Sequence, residues 1–305
     1  MLAKVIDLSV TEVTLRALSA ICAYRYLTVA QVATICGTKP KTTSEMLLRL
    51  ERARLLDHFG NAGIRGYGKT PKVYFLTKRG HALLTEEQEA QGLTVQPYTQ
   101  VNVSTRWSPM MYHRIATLDV LSFIERDCGQ LTEYELLGTL VEYRRQKVGQ
   151  RWRKETTDFV ANGADPLDKI IPDAGFALRH RASGKRALFL IEVDRGTERL
   201  TTNQTDSDIA TYTAKLAQYD RYLASGRVKD RYPHLGRFSG FHLLTITTSD
   251  RRIANMRAAA ATLNPAFHPY YRFSTLDTVR HKFLHDGWLG RDHADPKTYP
   301  LIKGN

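Results

Sequence analysis

The sequence has few cysteines, no long apolar run and a shortage of acidic residues. Its three cysteines, Cys22, Cys36 and Cys128, form no closely spaced pair, which is typical of buried thiols in a reducing compartment and excludes a cysteine-based zinc site. No apolar run approaches the roughly 18 residues that a membrane span requires. The first residues do not resemble a signal peptide. We therefore expect a cytoplasmic protein with no membrane partner and no zinc.

The shortage of acids gives the chain a strong positive charge, because 44 Lys and Arg residues stand against 31 Asp and Glu residues. The formal charge of +13 favours a polyanionic partner, since neutralising phosphates releases condensed counterions. Residues 38–79 carry ten Lys or Arg and three Asp or Glu, a local charge of +7. A chain of 305 residues is long enough for two domains, and this basic segment lies in the first.

Three capping boxes predict three helices in the first part of the chain. They begin at Ser9, Thr28 and Thr42, each with a Glu or Gln three residues later. The second helix is predicted to stop at Gly37. A short helix, a glycine turn and a longer basic helix form a helix-turn-helix. The predicted inward positions are Leu15, Leu18, Cys22, Val29, Val32, Ile35, Met46, Leu47 and Leu50.

A β-hairpin is predicted after the third helix, where a winged helix has its wing. The turn at residues 60–63 leads to a glycine-rich, basic tip from Arg65 to Lys72, and the chain returns through the strand 73–76. The third helix would face the major groove, and the wing would contact the backbone or the minor groove. The predicted DNA-binding residues are Lys41, Thr42, Thr43, Ser44, Arg49, Arg52, Arg65, Lys69 and Lys72.

Two other interpretations of this segment explain less. A winged helix used only for protein contacts does not need basic residues on its DNA-facing elements. Residues 63–70 match the P-loop pattern G-x-x-x-x-G-K-[ST], but a P-loop requires a strand before it and a helix after it. Here Pro71 and then a strand follow, so we predict no nucleotide cofactor.

The rest of the chain predicts an α/β domain. A polar linker is predicted at residues 91–104, between a winged helix at 1–90 and the α/β domain at 105–305. Helices are predicted at 108–127, 206–223 and 249–263, and strands from residue 172, at 187–194 and at 241–248. The continuous apolar strand 187–194 is typical of the centre of a sheet covered on both faces.

Acidic residues stand at the strand ends of this domain. Asp173 begins one strand, and Glu192 and Asp194 end the next, where their two-residue spacing places them on one face. Converging carboxylates suit Mg²⁺ or Mn²⁺, which can polarise a phosphodiester and activate water. Lys215 on the next helix could stabilise the attacked phosphate, and Tyr219 lies one turn further on the same face. These five residues are the predicted catalytic set, and the three acids are the predicted metal ligands.

The order Pro-Asp, hairpin, Glu-x-Asp resembles the PD-(D/E)xK nuclease core, with Asp194 where the lysine normally stands. The winged helix and residues 172–176 and 189–198 resemble the replication-relaxation family of plasmids and integrative elements, and residues 215–219, 243–252 and 271–273 fit the same pattern. The resemblance implies a winged helix followed by a nuclease-like α/β domain. It also implies a role in plasmid replication, DNA relaxation or conjugative mobilisation, akin to one class of mobilisation relaxases.

Two hypotheses of function stay open at this point. In the first, the protein is an enzyme that nicks or relaxes DNA at a specific site with Mg²⁺ or Mn²⁺. In the second, it is a non-catalytic origin-binding or transcription factor whose nuclease-like domain has decayed. Double-stranded DNA is the predicted partner in both. A second copy of the chain and other replication or mobilisation proteins are further candidate partners.

Overall fold

The computed structural model describes residues 10–60, 63–64, 68–101, 109–142, 144–148, 151–161, 168–196 and 211–302. The chain forms two compact units, residues 1–122 and 123–305, and the division falls inside the helix Pro109–Cys128. The domain boundaries at residues 90 and 105 stay predictions. None of the helices in the described part of the chain combines the length and apolarity that a membrane span needs.

The first unit contains a bundle of helices and a small sheet. Its helices are α1 (Glu12–Ala23), α2 (Val29–Cys36), α3 (Pro40–Arg52), α4 (Lys78–Ala90) and the start of α5 (Pro109–Cys128). Its strands are β1 (Leu27–Thr28), β2 (Leu56–Gly60), β3 (Gly63–Ile64), β4 (Gly68–Lys69) and β5 (Lys72–Leu76). Strands β1, β5 and β2 form an antiparallel sheet in that order. This is the element order of a winged helix-turn-helix.

The helix starts show which of the three predicted capping boxes operate. Thr28 and Gln31 form the predicted box, and α2 ends at Gly37 in the left-handed conformation. The other two starts are corrections. Helix α1 is capped by Thr11, and Ser9 lies outside the described residues. Helix α3 begins at Pro40 rather than after Thr42, because proline at the first helical position already has the required φ.

The core of the first unit follows the predicted helix faces except in α1 and at Val29, the first residue of α2, which is half-buried. Met46, Leu47 and Leu50 of α3 are buried as predicted. In α1 the buried side is formed by Ala17, Leu18, Ala20 and Ile21, whereas Leu15 and Cys22 are half-buried. The P-loop-like segment pairs β3 with β4 and continues into strand β5, so a strand and not a helix follows it.

The second unit is built on a seven-stranded mixed sheet, whose order is β16–β15–β14–β13–β12–β11–β6. The strands of this unit are β6 (Tyr134–Val141), β7 (Arg145–Val148), β8 (Arg151–Lys154), β9 (Asp158–Phe159), β10 (Lys169–Ile170), β11 (Ala174–His180), β12 (Arg186–Val193), β13 (His242–Thr247), β14 (Tyr271–Thr275), β15 (Trp288–Gly290) and β16 (Thr298–Tyr299). The helices that follow α5 are α6 (Tyr212–Ser225), α7 (Asp250–Ala259) and α8 (Leu276–His281).

The pairing in this sheet changes direction at β12. Strands β6, β11 and β12 are antiparallel neighbours, whereas β12, β13 and β14 run parallel. Strand β12 is buried from Leu188 to Val193, as its continuous apolar run predicts. Leu188 and Leu190 share a core with Leu216 and Tyr219 of α6, so this face of β12 lies under α6.

A buried ion pair fixes α6. Asp220 accepts hydrogen bonds from Arg291 Nη1 at 2.7 Å and Nη2 at 3.0 Å, and Arg291 is 1% exposed. The hydroxyl of Tyr271 also donates to Asp220 at 2.5 Å, and its ring lies 4.6 Å from the Arg291 guanidinium. Because a buried charge is costly without a partner, these contacts hold α6 in one position against the sheet.

Candidate functional site

Asp173 lies immediately before β11 and is hydrogen-bonded to the residues on both sides of Glu192. Its amide donates to the Ile191 carbonyl at 3.0 Å, and its Oδ2 accepts from the Val193 amide at 2.8 Å. Ala174 pairs with Ile191 in the antiparallel register, so the next pair along brings Asp173 opposite Glu192. The structure therefore places these two predicted ligands side by side at the end of the hairpin.

Glu192 is the buried acid of the site. Its residue is 3% exposed, its Oε2 lies 2.6 Å from Lys215 Nζ, and its Oε1 accepts a hydrogen bond from the Tyr219 hydroxyl. The pKa of Glu192 is raised to about 8, chiefly by burial and also by the neighbouring Asp173, although Lys215 and Tyr219 lower it. A carboxyl group with this pKa is ready to gain or lose a proton near neutral pH.

Asp194 points to a different set of partners. Its Oδ2 accepts from Arg252 Nε at 2.8 Å and from Thr247 Oγ1 at 3.0 Å, and its Oδ1 accepts from the Gly196 amide at 3.0 Å. Arg252 lies on α7. The two-residue spacing did place Glu192 and Asp194 on one face, but α7 engages Asp194 while α6 engages Glu192.

The predicted group of three carboxylates is therefore only partly brought together. Asp173 and Glu192 are neighbours, and Asp194 is bound in the Arg252 pair. Within the described residues, no three His, Cys, Asp or Glu side chains are grouped closely enough to hold a metal ion.

Lys215 and Tyr219 lie one turn apart on α6 and both contact Glu192, as their spacing predicts. The Lys215 side chain is 31% exposed, so it can contact both Glu192 and solvent. Tyr219 is 1% exposed, and burial beside Glu192 raises the pKa of its hydroxyl well above the usual value. A nucleophilic tyrosine needs the opposite shift. Tyr219 thus acts as a hydrogen-bond donor that holds the Glu192 carboxyl group in position.

The predicted DNA-facing residues of α3 are mostly at the surface. Lys41, Thr42, Arg49 and Arg52 are exposed, and Ser44 is half-buried. Thr43 is a correction: it is fully buried, and its Oγ1 lies 2.6 Å from Thr38 Oγ1 and 3.2 Å from the Lys39 carbonyl. Its hydroxyl stabilises the turn before α3, because a buried hydroxyl needs such partners.

The predicted DNA-binding residues of the wing also differ in whether they project into solvent. Lys69 on β4 is exposed, whereas Lys72 on β5 pairs with Glu51 of α3 at 2.6 Å and lies 4.8 Å from the centre of the Tyr74 ring. Lys72 therefore joins the wing to α3 instead of projecting from it. Arg65 lies outside the described residues.

The sequence profile of the replication-relaxation family matches residues 18–236, which is more than two thirds of the chain. The chain belongs to the replication-relaxation family. In this family member the match covers most of the winged helix, the hairpin β11–β12 and all of α6, so every predicted catalytic residue lies inside it. The family resemblance expected from residues 172–176 and 189–198 is thereby confirmed.

Comparisons with other proteins add two solved structures. One is a MarR family transcriptional regulator from Silicibacter pomeroyi DSS, 26% identical, with a TM-score of 0.24, covering 27% of this family member and 52% of that chain. The other is RV1404 from Mycobacterium tuberculosis, also 26% identical with a TM-score of 0.24, covering 28% of this chain and 58% of that one. The family member thus spans little more than half the length of either structure. No curated protein matches it.

Two residues that determine the geometry of this site were given no function in the sequence analysis. Arg252 lies in a family-like segment, and the structure shows that it determines where Asp194 points. Arg291 lies outside every predicted motif, yet it holds α6 through Asp220. Both act across long sequence separations, and no local spacing in the sequence indicates such partners.

Proposed function

We propose that this protein binds double-stranded DNA through its first unit and nicks it with a metal-dependent site in its second unit, as a step in replication, relaxation or mobilisation. The observation that carries the proposal is the pairing of Asp173 with Glu192 at the end of a hairpin, with Lys215 against Glu192. This combination resembles the acid–acid–lysine set of a PD-(D/E)xK nuclease, with the ammonium supplied from α6 instead of β12.

DNA binding is supported by the chemistry of the α3 surface. The exposed side chains on this helix include Lys41, Arg49 and Arg52, and Lys69 adds a charge on the wing. Exposed Lys and Arg neutralise phosphates, while Thr42 and Ser44 can donate to or accept from base edges or phosphates. A helix-turn-helix presents this part of its second helix to the major groove.

The nuclease proposal is supported by the donor set around Glu192. Mg²⁺ usually takes one or two carboxylates from the protein and completes its shell with water and substrate phosphate. Asp173 and Glu192 would supply those carboxylates, and their mutual repulsion, which helps to raise the Glu192 pKa, is the condition that a cation relieves. When bound, the cation would polarise the phosphodiester and lower the pKa of an attacking water.

The chain's own residues have separate parts in this site. The Val193 amide orients Asp173, and the hydrogen bond from the Tyr219 hydroxyl holds Glu192 in place. Lys215, which is partly exposed, would stabilise the charge on the attacked phosphate. Asp194 is engaged by Arg252 and serves to join β12 to α7.

The first test is nicking of supercoiled plasmid that carries the DNA neighbouring this protein's own coding sequence, in Mg²⁺ or Mn²⁺. Asp173→Asn and Glu192→Gln should each lower the nicking rate by about 100-fold or more, because each removes a carboxylate from the cation. Asp230→Asn is the matched control, since Asp230 is 68% exposed and pairs with Arg237 at the surface. If the wild type leaves this plasmid intact, the second unit is a non-catalytic scaffold. If both site variants nick it as the wild type does, cleavage does not depend on Asp173 and Glu192, and the proposed site is wrong.

The second test separates binding from cleavage. Lys41→Ala and Arg49→Ala should each weaken binding to duplex DNA and reduce the salt slope of log K by about 0.9 for each phosphate that is no longer neutralised. Arg79→Ala, on the exposed surface of α4, controls for a general reduction of positive charge. Equal effects of all three changes would contradict a role for α3 in particular.

A further inference from the structure

A two-stranded hairpin of the second unit, formed by β7 and β8, stands outside the seven-stranded sheet. Residues 144–154 contain six Lys or Arg and no Asp or Glu. Neither the family match nor the predicted DNA-binding residues assign a role to this hairpin.

The base of the hairpin is tied to the site. Glu155 Oε2 accepts from the Val141 amide at 2.8 Å, and Arg144 donates to the Thr139 carbonyl at 3.1 Å. Lys154 forms an ion pair with Glu142, whose amide donates to the Asp173 carbonyl at 3.2 Å. The hairpin therefore leaves the sheet beside Asp173. Glu142 and Glu155 partner two of its six cations, and the segment keeps an excess of positive charge.

The two faces of the hairpin have different surroundings. On one face the Arg153 guanidinium lies 5.2 Å from the centre of the Phe159 ring, which packs this face on the protein. On the other face Trp152 is 65% exposed. Arg145 is also exposed, and because it pairs with Lys154 it is a diagonal neighbour of Trp152 on this outer face.

An exposed tryptophan on a basic ribbon is unusual, because large aromatic side chains gain free energy by burial. It is well suited to unpaired nucleotides, whose bases offer flat apolar faces and whose phosphates attract Lys and Arg. Paired bases in a duplex have no free faces for stacking. We propose that the outer face of the β7–β8 hairpin binds single-stranded DNA, with Trp152 stacking on a base and Arg145 contacting phosphate.

This site is distinct from the duplex-binding surface of the first unit, and it does not require the carboxylate site to be active. Because the hairpin leaves the sheet beside Asp173, a DNA strand bound to it passes close to the carboxylates while its bases are unpaired.

The test measures binding of the full chain to a fluorescent oligonucleotide of about twenty thymidines, which has no duplex structure. Trp152→Ala should weaken binding about tenfold, and Trp152→Phe should restore most of it, because phenylalanine also stacks. Arg145→Ala should weaken binding and reduce the salt slope by about 0.7. Tyr270→Ala is the matched control, since Tyr270 is an exposed aromatic residue of the same unit at 38% exposure.

Two further readouts separate base stacking from unfolding and from general phosphate binding. The chain has three tryptophans, Trp107, Trp152 and Trp288, and Trp288 is fully buried. In a Trp107→Phe background, the fluorescence that single-stranded DNA quenches should therefore be absent once Trp152→Phe is added. Affinity for duplex DNA and the thermal midpoint should stay unchanged in Trp152→Ala. The proposal is overturned if Trp152→Ala binds the oligonucleotide as the wild type does. It is equally overturned if the change weakens duplex binding by the same factor, which would make the hairpin a general phosphate-binding surface.

Discussion

Glu192 lies in β12 and Asp194 directly follows this strand, two residues further on, yet their surroundings differ. Asp194 accepts from a guanidinium, a hydroxyl and a backbone amide, which together satisfy both carboxylate oxygens. Glu192 contacts one ammonium group and one phenol, and burial raises its pKa to about 8. The acid next to α7 is thus held by several donors, whereas the acid under α6 can change its charge near neutral pH.

The difference indicates where chemistry can occur. Donors of the kind around Asp194 stabilise the fold, because they satisfy a buried carboxylate and hold it in one position. A group such as Glu192, whose ionisation is opposed by burial, responds to a proton or a cation. Three experiments can break or sharpen this comparison.

The largest effect is expected for Arg252→Met. This change leaves the Asp194 carboxylate, whose side chain is 3% exposed, without its cation. The free energy of unfolding should fall by about 3 kcal/mol, since an uncompensated buried charge is costly. Urea unfolding measures it, with Arg251→Met as control because Arg251 is the exposed neighbour on the same helix. Similar decreases in both variants would mean that Asp194 does not depend on its pair.

Glu192 should make the stability of the protein depend on pH. Its folded pKa of about 8 lies above the ordinary glutamate value of about 4.3, so the folded state keeps a proton that the unfolded chain has released. Its contribution to stability is therefore fully present below about pH 4 and is lost as pH rises towards 8. The slope should not exceed about 1.4 kcal/mol per pH unit.

The measurement is urea unfolding between pH 5 and pH 9 in a chelator, with the wild type compared with Glu192→Gln and Asp194→Asn. The difference between wild type and Glu192→Gln should grow from pH 5 to about pH 8 and level off above it, because glutamine does not titrate and Glu192 is ionised in both states above its folded pKa. Asp194→Asn should keep the pH slope of the wild type. A slope that disappears in Asp194→Asn instead would reverse the roles of the two acids.

The smallest effect is expected for Tyr219→Phe, which removes one donor from Glu192. Stability should fall by about 1 kcal/mol, and the pKa of Glu192 should rise further because the Tyr219 hydrogen bond lowers it. Tyr212→Phe is the matched control, since its buried hydroxyl lies 3.0 Å from the neutral Thr245 hydroxyl. Both variants should be less stable than the wild type, and only Tyr219→Phe should move the pH profile upward.

Local signals in the sequence account for much of the first unit. The Thr28–Gln31 box and Gly37 fix both ends of α2 within a few residues of chain, so their effect does not depend on the rest of the fold. The capping pattern places the start of α3 three residues late, because Pro40 already favours the first helical position. Burial also removes Thr43 from the surface. Exposure is set by packing, which a capping pattern does not contain.

The sequence predicts those parts of the carboxylate site that depend only on the regular spacing of side chains along a strand or a helix. The two-residue period predicts that Glu192 and Asp194 share one face of a strand, and the four-residue spacing predicts that Lys215 and Tyr219 share one face of a helix. Neither period tells which helix covers which acid. Arg252 lies 58 residues beyond Asp194, and only the assembled sheet brings the two together.

The buried pair between Asp220 and Arg291 also has a consequence for how the protein is made. The first unit can fold while the ribosome is still adding the second, because domains usually fold in order of synthesis. Strand β12 must wait for its parallel partner β13, and α6 must wait for Arg291, about a hundred residues after Glu192. The surroundings of Glu192 are therefore complete only after residue 291 has been synthesised. A nascent or prematurely terminated chain would already carry a finished winged helix while its carboxylates are still unassembled.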